Sequence, residues 1–413
     1  MKLLVYLNRK IAQPYLDTFK GLSKEIWWLS LITLINRAGT MVIPFLSLYL
    51  TKDLGFSLSK VAWIMSAFGL GSVVGSWLGG KLTDLIGYYK VMVWSLLGTG
   101  FFFVGLQYLK TFEQLIAGIF LVMLVADTFR PAMFVAMSAY SKPENKTRTV
   151  TLIRLAINLG FSAGPAIGGA IITTIGYDGL FWIDGITCFL AGLLLLQVLN
   201  PRKTTVLDTV EVENPVSAFS DKAFLVFLVA MFLFGFVFLQ YFSTIPLYYK
   251  DDQHLSELEI GLLMGMNGFL IFLLEMPFIK KLEDGGRSKT YLMVIGALLI
   301  GGSFLVLNLS GWIGVLIIGM LLMTVGEMIL FPFSNSFAVD RAKRGRQGQF
   351  MALYTISFSL AHIFAHNAGL QLIGSMGYEF TWYLMTVLSV LCILLLWRLN
   401  RLTQGETLVG GDK

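Results

Sequence analysis

Apolar residues dominate this chain in long stretches, and charged residues collect in the short breaks between them. Each stretch is long enough to cross about 30 Å of hydrocarbon as a helix. The pattern predicts spans at roughly 27–50, 60–80, 91–109, 114–139, 150–173 and 179–198, then at roughly 223–248, 259–279, 290–309, 312–338, 348–373 and 379–397. The longest polar stretch, "NPRKTTVLDTVEVENPVSAFSDK" at 200–222, separates the two sets. This predicts an N-terminal six-helix bundle over 1–199, a cytoplasmic linker over 200–222, and a C-terminal six-helix bundle with a short cytoplasmic tail over 223–413. The opening "MKLLVYLNRKIAQPYLDTF" lacks the apolar core and cleavage site of a signal peptide and reads as a short interfacial helix.

The two sets repeat each other. "KLTD" at 81–84 matches "KLED" at 281–284, and Ile43-Pro44 matches Ile245-Pro246. Asp127 and Glu327 sit in the fourth span of each set, followed by Pro131 and Pro332. "IGYDGLFW" at 175–182 matches "MGYEFTWY" at 376–383. Four matches in one order, all close to 200 residues apart, argue for two parallel six-helix repeats, an architecture of transporters.

Charge sets the orientation. Lys2, Arg9, Lys10, Lys20, Lys24, Lys81, Lys90, Lys142, Lys146, Arg148, Arg202, Lys203, Lys222, Lys280, Lys281, Arg287, Lys289, Arg341, Lys343, Arg344 and Arg346 fall on one side; the other has little beyond Lys52, Lys60, Lys110 and Lys250. The positive-inside rule then places both termini in the cytoplasm of a multi-pass plasma (inner) membrane protein. Of the 413 residues, 56% are hydrophobic and 14% charged, against about 25% charged in soluble proteins. The net charge of +6 therefore belongs to the membrane pattern and argues for no nucleic-acid partner. Cys188 and Cys392 lie within apolar spans, so neither a disulfide framework nor a metal cluster is expected.

Between the second and third spans runs "GGKLTDLIGYYK" (79–90). Gly80, Leu82, Asp84, Gly87 and Lys90 match the loop signature Gly-x-Leu-x-Asp-x-x-Gly and its trailing basic residue, so the chain resembles the major facilitator superfamily; Leu85 and Tyr88 replace two basic positions. Glycines there permit a tight turn and close helix approach, and Asp84 can cap a helix start or pair with a cytoplasmic cation, making this a gating loop. In the fifth span, "GFSAGPAIGG" (160–169) resembles the Gly-x-x-x-Gly-Pro-x-x-Gly-Gly element of the antiporter branch through Gly160, Gly164, Pro165, Gly168 and Gly169. Small residues at this spacing let helices pack closely. "VGEMILFPF" (325–333) is similar to a segment of multidrug/proton antiporters in which a membrane-embedded glutamate precedes a proline, implying a role for Glu327 in binding protons or cationic substrate.

The resemblance implies that spans 1, 4, 7 and 10 line a central cavity reached by alternating access. Ionisable residues within a membrane seldom face lipid. Arg37, Asp127, Arg130 and Glu327 lie in cavity-lining spans, Glu275 in the inner half of span 8, and His362 and His366 one turn apart in span 11. Arg37, Arg130, Glu327, His362 and His366 are the expected substrate-cavity residues; Glu327, Glu275 and Asp127 are the proton-coupling candidates. Asp127 and Arg130 are spaced to share a helix face, so Asp127 with Arg130 or Arg37 can equally form a static neutralising pair. The histidine pair has a metal-compatible spacing but no third ligand, so no metal is expected; hydrogen bonding or proton transfer suits it better. Arg154 reads as a structural or headgroup-contacting residue, and Asp184 as a helix-start carboxylate near the interface. The phenylalanines of span 7, from Phe232 to Phe242, suit lipid contact, core packing or a cavity wall.

Absent an ATP-binding loop, an ion gradient must drive transport; absent a nucleophile elbow or metal-hydrolase signature, no enzyme and no cofactor is expected. The first expectation is proton-coupled export of small amphiphilic molecules or drugs by a monomer whose partners are its substrate, protons and the lipid bilayer. The alternative is proton symport of a zwitterionic or sugar-like nutrient such as a small peptide.

Overall fold

A computed structural model describes residues 21–141, 146–201, 217–309, 312–342 and 347–409. The proposed interfacial helix at the N-terminus, most of the linker, and the basic residues Lys2, Arg9, Lys10, Lys20, Lys142, Arg202, Lys203, Lys343, Arg344 and Arg346 lie outside them. The described residues are all-helical, with eleven stretches long and apolar enough to cross a membrane. The last, Gln347–Val409, is two helices run together across Gly377, whose φ of 80° and ψ of 177° are not helical. Twelve crossings result: α1 Lys24–Asp53, α2 Leu58–Ile86, α3 Tyr88–Leu106, α4 Phe112–Tyr140, α5 Lys146–Ile175, α6 Asp178–Val198, α7 Lys222–Asp251, α8 Glu257–Asp284, α9 Lys289–Leu307, α10 Gly314–Ala342, then α11 (347–376) and α12 (378–409).

The Ile-Pro repeats mark where α1 and α7 are broken. α1 halts at Gly39 and restarts as Val42–Leu48, followed by a π-helical turn at Tyr49–Asp53. α7 tightens into a 3-10 turn at Leu239–Phe242 and restarts as Ile245–Asp251. Pro44 and Pro246 fall in the first turn of each restarted piece, where a missing N–H costs least. α4 also breaks, at Asp127 and Thr128, and Pro131 occupies the first turn of the second piece. Its counterpart Pro332 lies inside a continuous α10.

The loops after α2, α4, α6, α8 and α10 form one end of the bundle, the linker end; the remaining loops form the far end. The halves meet along two seams, α5 against α8 and α2 against α11. Glycines make the first seam. A Cβ added at Gly261 would strike the Pro165 carbonyl, and one at Gly169 the Glu257 carbonyl. Gly268 lies against the Ser162 backbone, and the Ser162 hydroxyl donates to the Gly265 carbonyl at 2.8 Å. Gly160, Gly164 and Gly168 face α1, at Arg37, Ala38 and Met41. The glycine element of span 5 thus serves two neighbours, one within its half and one across the seam. In lipid, where apolar burial gives no net drive between helices, such backbone contact supplies the dispersion energy of packing.

The phenylalanines of span 7 turn mainly inward. Phe234 and Phe238 pack edge-on to Phe331 of α10, which stacks on Phe358 of α11; Phe227 stacks on Tyr354. The expectation for the α2–α3 loop needs one correction. Gly87, at φ 86°, does make the tight turn, but Gly80 has open space where its Cβ would be. The close approach belongs to Gly79, packed on Thr128 and Pro131 of α4. Asp84 lies in the last turn of α2 rather than at a helix start, and its side chain is outside the described residues; Lys90 opens α3.

Candidate substrate and proton site

Among the described residues, four carboxylates lie well inside the membrane-crossing helices: Asp127, Asp184, Glu275 and Glu327. Asp184 is fully buried, and its two oxygens accept the backbone N–H groups of Met41, at 3.0 Å, and Val42, at 2.9 Å. It does not start its own helix, which begins at Asp178; it caps the restarted piece of α1 from the side. A break in a helix exposes donors that lipid cannot satisfy, so a neighbour must supply the acceptor.

Glu275 pairs with Arg154 across the α5–α8 seam and accepts from the Asn158 amide at 3.1 Å. Of the two roles expected for Arg154, structural or headgroup-contacting, this pairing fits the first: it is an inter-half partner of a buried acid. Asp127 accepts from the Ser72 hydroxyl of α2. The break in α4 separates it from Arg130, and no ion pair joins it to Arg130 or Arg37 among the described residues, although both arginines lie near enough to act electrostatically on this region. Arg37 packs its guanidinium 5.5 Å from the Phe161 ring centre, and its Nε is buried without a partner among the described residues.

Glu327 is held differently. It is partly accessible despite its depth, and its hydrogen bond comes from the neutral amide of Asn267 on α8, at 3.1 Å. The same amide reaches the Thr324 hydroxyl at 3.0 Å and the Met323 sulfur at 3.4 Å. The guanidinium in electrostatic reach, Arg154, is already committed to Glu275. Sequence reasoning missed Asn267 and Asn158. Both follow a small or apolar residue in glycine-rich helices, and a polar residue at depth was the signal available.

The histidines are brought together with α2 rather than with Glu327. His362 and His366 have ring centres 5.8 Å apart, and His366 lies edge-on to Phe68 at 6.0 Å. The His362 carbonyl lies against Gly69, and neither ring nitrogen of His366 has a partner among the described residues. Among those residues no group of three or more His, Cys, Asp or Glu is arranged to hold a metal.

Two broken helices facing each other in paired six-helix halves, with ionisable groups near the plane between them, are the architecture of a membrane transporter. A sequence profile of the Major Facilitator Superfamily matches residues 29–366, and the chain belongs to that superfamily. It is similar to the Na(+), Li(+), K(+)/H(+) antiporter of Planococcus maritimus, 20% identical over 390 residues that cover 86% of this chain and 91% of that protein. It is also similar to the quinolone resistance protein NorA of Staphylococcus aureus, 23% identical over 76% of this chain and 81% of that protein. Its fold is shared with a POT family transporter solved in complex with 5-aminolevulinic acid, at a TM-score of 0.78 and 16% identity, covering 92% of this chain and 96% of that one.

Proposed function

We propose that the protein is a proton-coupled antiporter that exports small amphiphilic cations, with Glu327 as the group shared by proton and substrate. One observation carries this reading. Of the four carboxylates at depth, and among the described residues, Glu327 alone has neither a cation committed to it, nor two backbone donors, nor a hydroxyl; it has one neutral amide and partial access. Such a carboxylate can take a proton or a cationic group, but not both, and competition of two ligands for one site is the thermodynamic basis of exchange. The aromatic cluster of Phe234, Phe238, Phe331 and Phe358 reaches the helix of Glu327 through Phe331, one turn further on, and suits the apolar part of an amphiphile. Similarity to an alkali-cation/proton antiporter and to NorA supports exchange and export.

The test is substrate-induced proton release from purified protein in detergent, with an organic monocation as probe. The wild type should release protons on binding, and Glu327→Gln should not, while binding of a neutral amphiphile survives the substitution. Equal release from both proteins would assign Glu327 a structural role.

A second reading is proton symport of a zwitterion. The arginines of the N-terminal half, Arg37 and Arg130, would take the anionic group and Glu327 the cationic one. Arg37 favours it, with a buried Nε that has no partner among the described residues. Proteoliposomes separate the two readings: under an inwardly directed proton gradient an antiporter expels substrate and a symporter accumulates it.

A further inference from the structure

The break in α4 lacks what the break in α1 has. Where α1 restarts, Asp184 places two carboxylate oxygens on the freed N–H groups. α4 restarts as Phe129–Tyr140, and there Thr128 gives no side-chain cap. Its hydroxyl donates backwards, to the Val125 carbonyl at 2.7 Å. Asp127, just before it, turns its carboxylate to Ser72 of α2. Among the described residues, no side chain of the protein caps the positive end of this helix piece, and Arg130 stands in its first turn.

Arg37 stands beside it. The Thr33 hydroxyl of α1 donates to the Met133 sulfur of α4 at 3.5 Å. The two spans run in opposite directions. One turn nearer the far end, α1 therefore presents Arg37, four residues after Thr33, and α4 presents Arg130, three residues before Met133. The two arginines share one level on neighbouring helices, each within electrostatic reach of the other. Arg37 packs on Gly160, and its guanidinium leans toward the Phe161 ring. Arg130 is exposed and also lies within reach of His362 on α11, so it borders the space between the halves. The His362 Nδ1 has no partner among the described residues.

Other arginines within the spans are paired, Arg154 with Glu275 and Arg341 with Asp221. Among the described residues, the side chains of Arg37 and Arg130 have neither an ion pair nor a hydrogen bond. Charges left unpaired at this depth are costly. We propose that Arg37, Arg130 and the start of the second piece of α4 form a binding site for a monovalent anion. The charge count sets the valence. Two guanidiniums against the one carboxylate of Asp127 leave a single positive charge, which a monovalent anion balances and a dianion would overshoot. Guanidinium forks and a helix N-terminus suit a halide and a carboxylate alike. The site rests on neither reading of transport. In the second reading a zwitterion brings the anionic group with it, whereas a free anion binds here beside a cation held at Glu327.

Equilibrium dialysis of the full-length protein in detergent measures the site, with labelled chloride and labelled acetate as probes, each displaced by an excess of its unlabelled salt. The wild type should bind at least one probe saturably. Arg37→Gln and Arg130→Gln should each weaken that binding by roughly ten-fold or more, the loss of a charge-assisted hydrogen bond. Arg37→Lys, which keeps the charge but not the fork, should fall between. Lys110→Gln removes a lysine already paired with Asp178 and should bind as the wild type does. Anion binding should also survive Glu327→Gln, which separates this site from the one shared by proton and substrate. Chloride binding identifies the occupant as a free ion, and acetate binding without chloride identifies it as the carboxylate of a solute. Absence of saturable binding of both probes, or wild-type affinity in both glutamine variants, would overturn the proposal.

Discussion

Asp184 shows how far a single residue's role can lie from its sequence neighbourhood. Its position in the chain suggests an interfacial carboxylate, but its partners are two N–H groups more than 140 residues earlier. Backbone donors carry no side-chain identity, so no motif announces them. The same applies to Glu275, whose partners Arg154 and Asn158 come from the other half. Glu327 was readable because the whole signal, a carboxylate beside a proline in an apolar run, is local. Asp184→Ala should leave two buried donors unsatisfied and lower stability by about 1–3 kcal/mol. Asp184→Asn, which keeps one acceptor, should lose less. Thermal unfolding in detergent measures both, and an Ala variant as stable as wild type would show that Met41 and Val42 find another acceptor.

At the level of elements, the recurrence of Ile-Pro in each half was legible as a sign of the repeat, but not as the mark of the breaks that the structure shows in α1 and α7. The break in α4 was equally hidden, because Pro131 and Pro332 look equivalent in sequence. One begins a restarted helix and the other sits in an unbroken one. Glycine patterns show a similar limit. The run 160–169 was readable as a packing surface, but sequence does not say which glycine faces which neighbour, and in the α2–α3 loop the close approach belongs to Gly79 rather than Gly80. The α5–α8 seam leaves no room for a side chain at Gly261 or Gly268. Gly261→Leu should force the Pro165 carbonyl away, and transport should fall at least ten-fold while membrane insertion is retained. Gly80→Ala, at an open position, is the control. Comparable loss from both would mean that the seam is not the cause.

For the whole molecule, hydropathy was enough to give the class and the twelve crossings, because lipid forces every span to declare its length in apolar residues, and recurring short motifs gave the internal repeat. They do not say which end is closed. The hydrogen bonds and ion pairs that join the halves among the described residues run from the far end to Arg154–Glu275, and between α2 and α11 none lies on the linker side of Ser66 and Ile363. On the charge pattern, the linker end is expected to face the cytoplasm. Single cysteines at Lys222 and Lys110, in protein lacking the native pair, should therefore be labelled by an impermeant maleimide from opposite sides, Lys110→Cys from outside intact cells. Labelling of Lys222→Cys from outside would invert the orientation.

The capping of α1 by α6 also bears on how the protein is made. Synthesis proceeds at about 5–20 residues per second, so the first span waits on the order of ten seconds before the residue that satisfies its break has been added. During that interval Met41 and Val42 lack their native acceptor. The first helix must then reside in the translocation machinery, lean on water or a lipid headgroup, or stay unbroken until the sixth arrives. The N-terminal half consequently reaches its native form late, when its last helix closes back on its first, and a nascent chain halted before Asp184 is a bundle whose opening member has not yet taken its final shape.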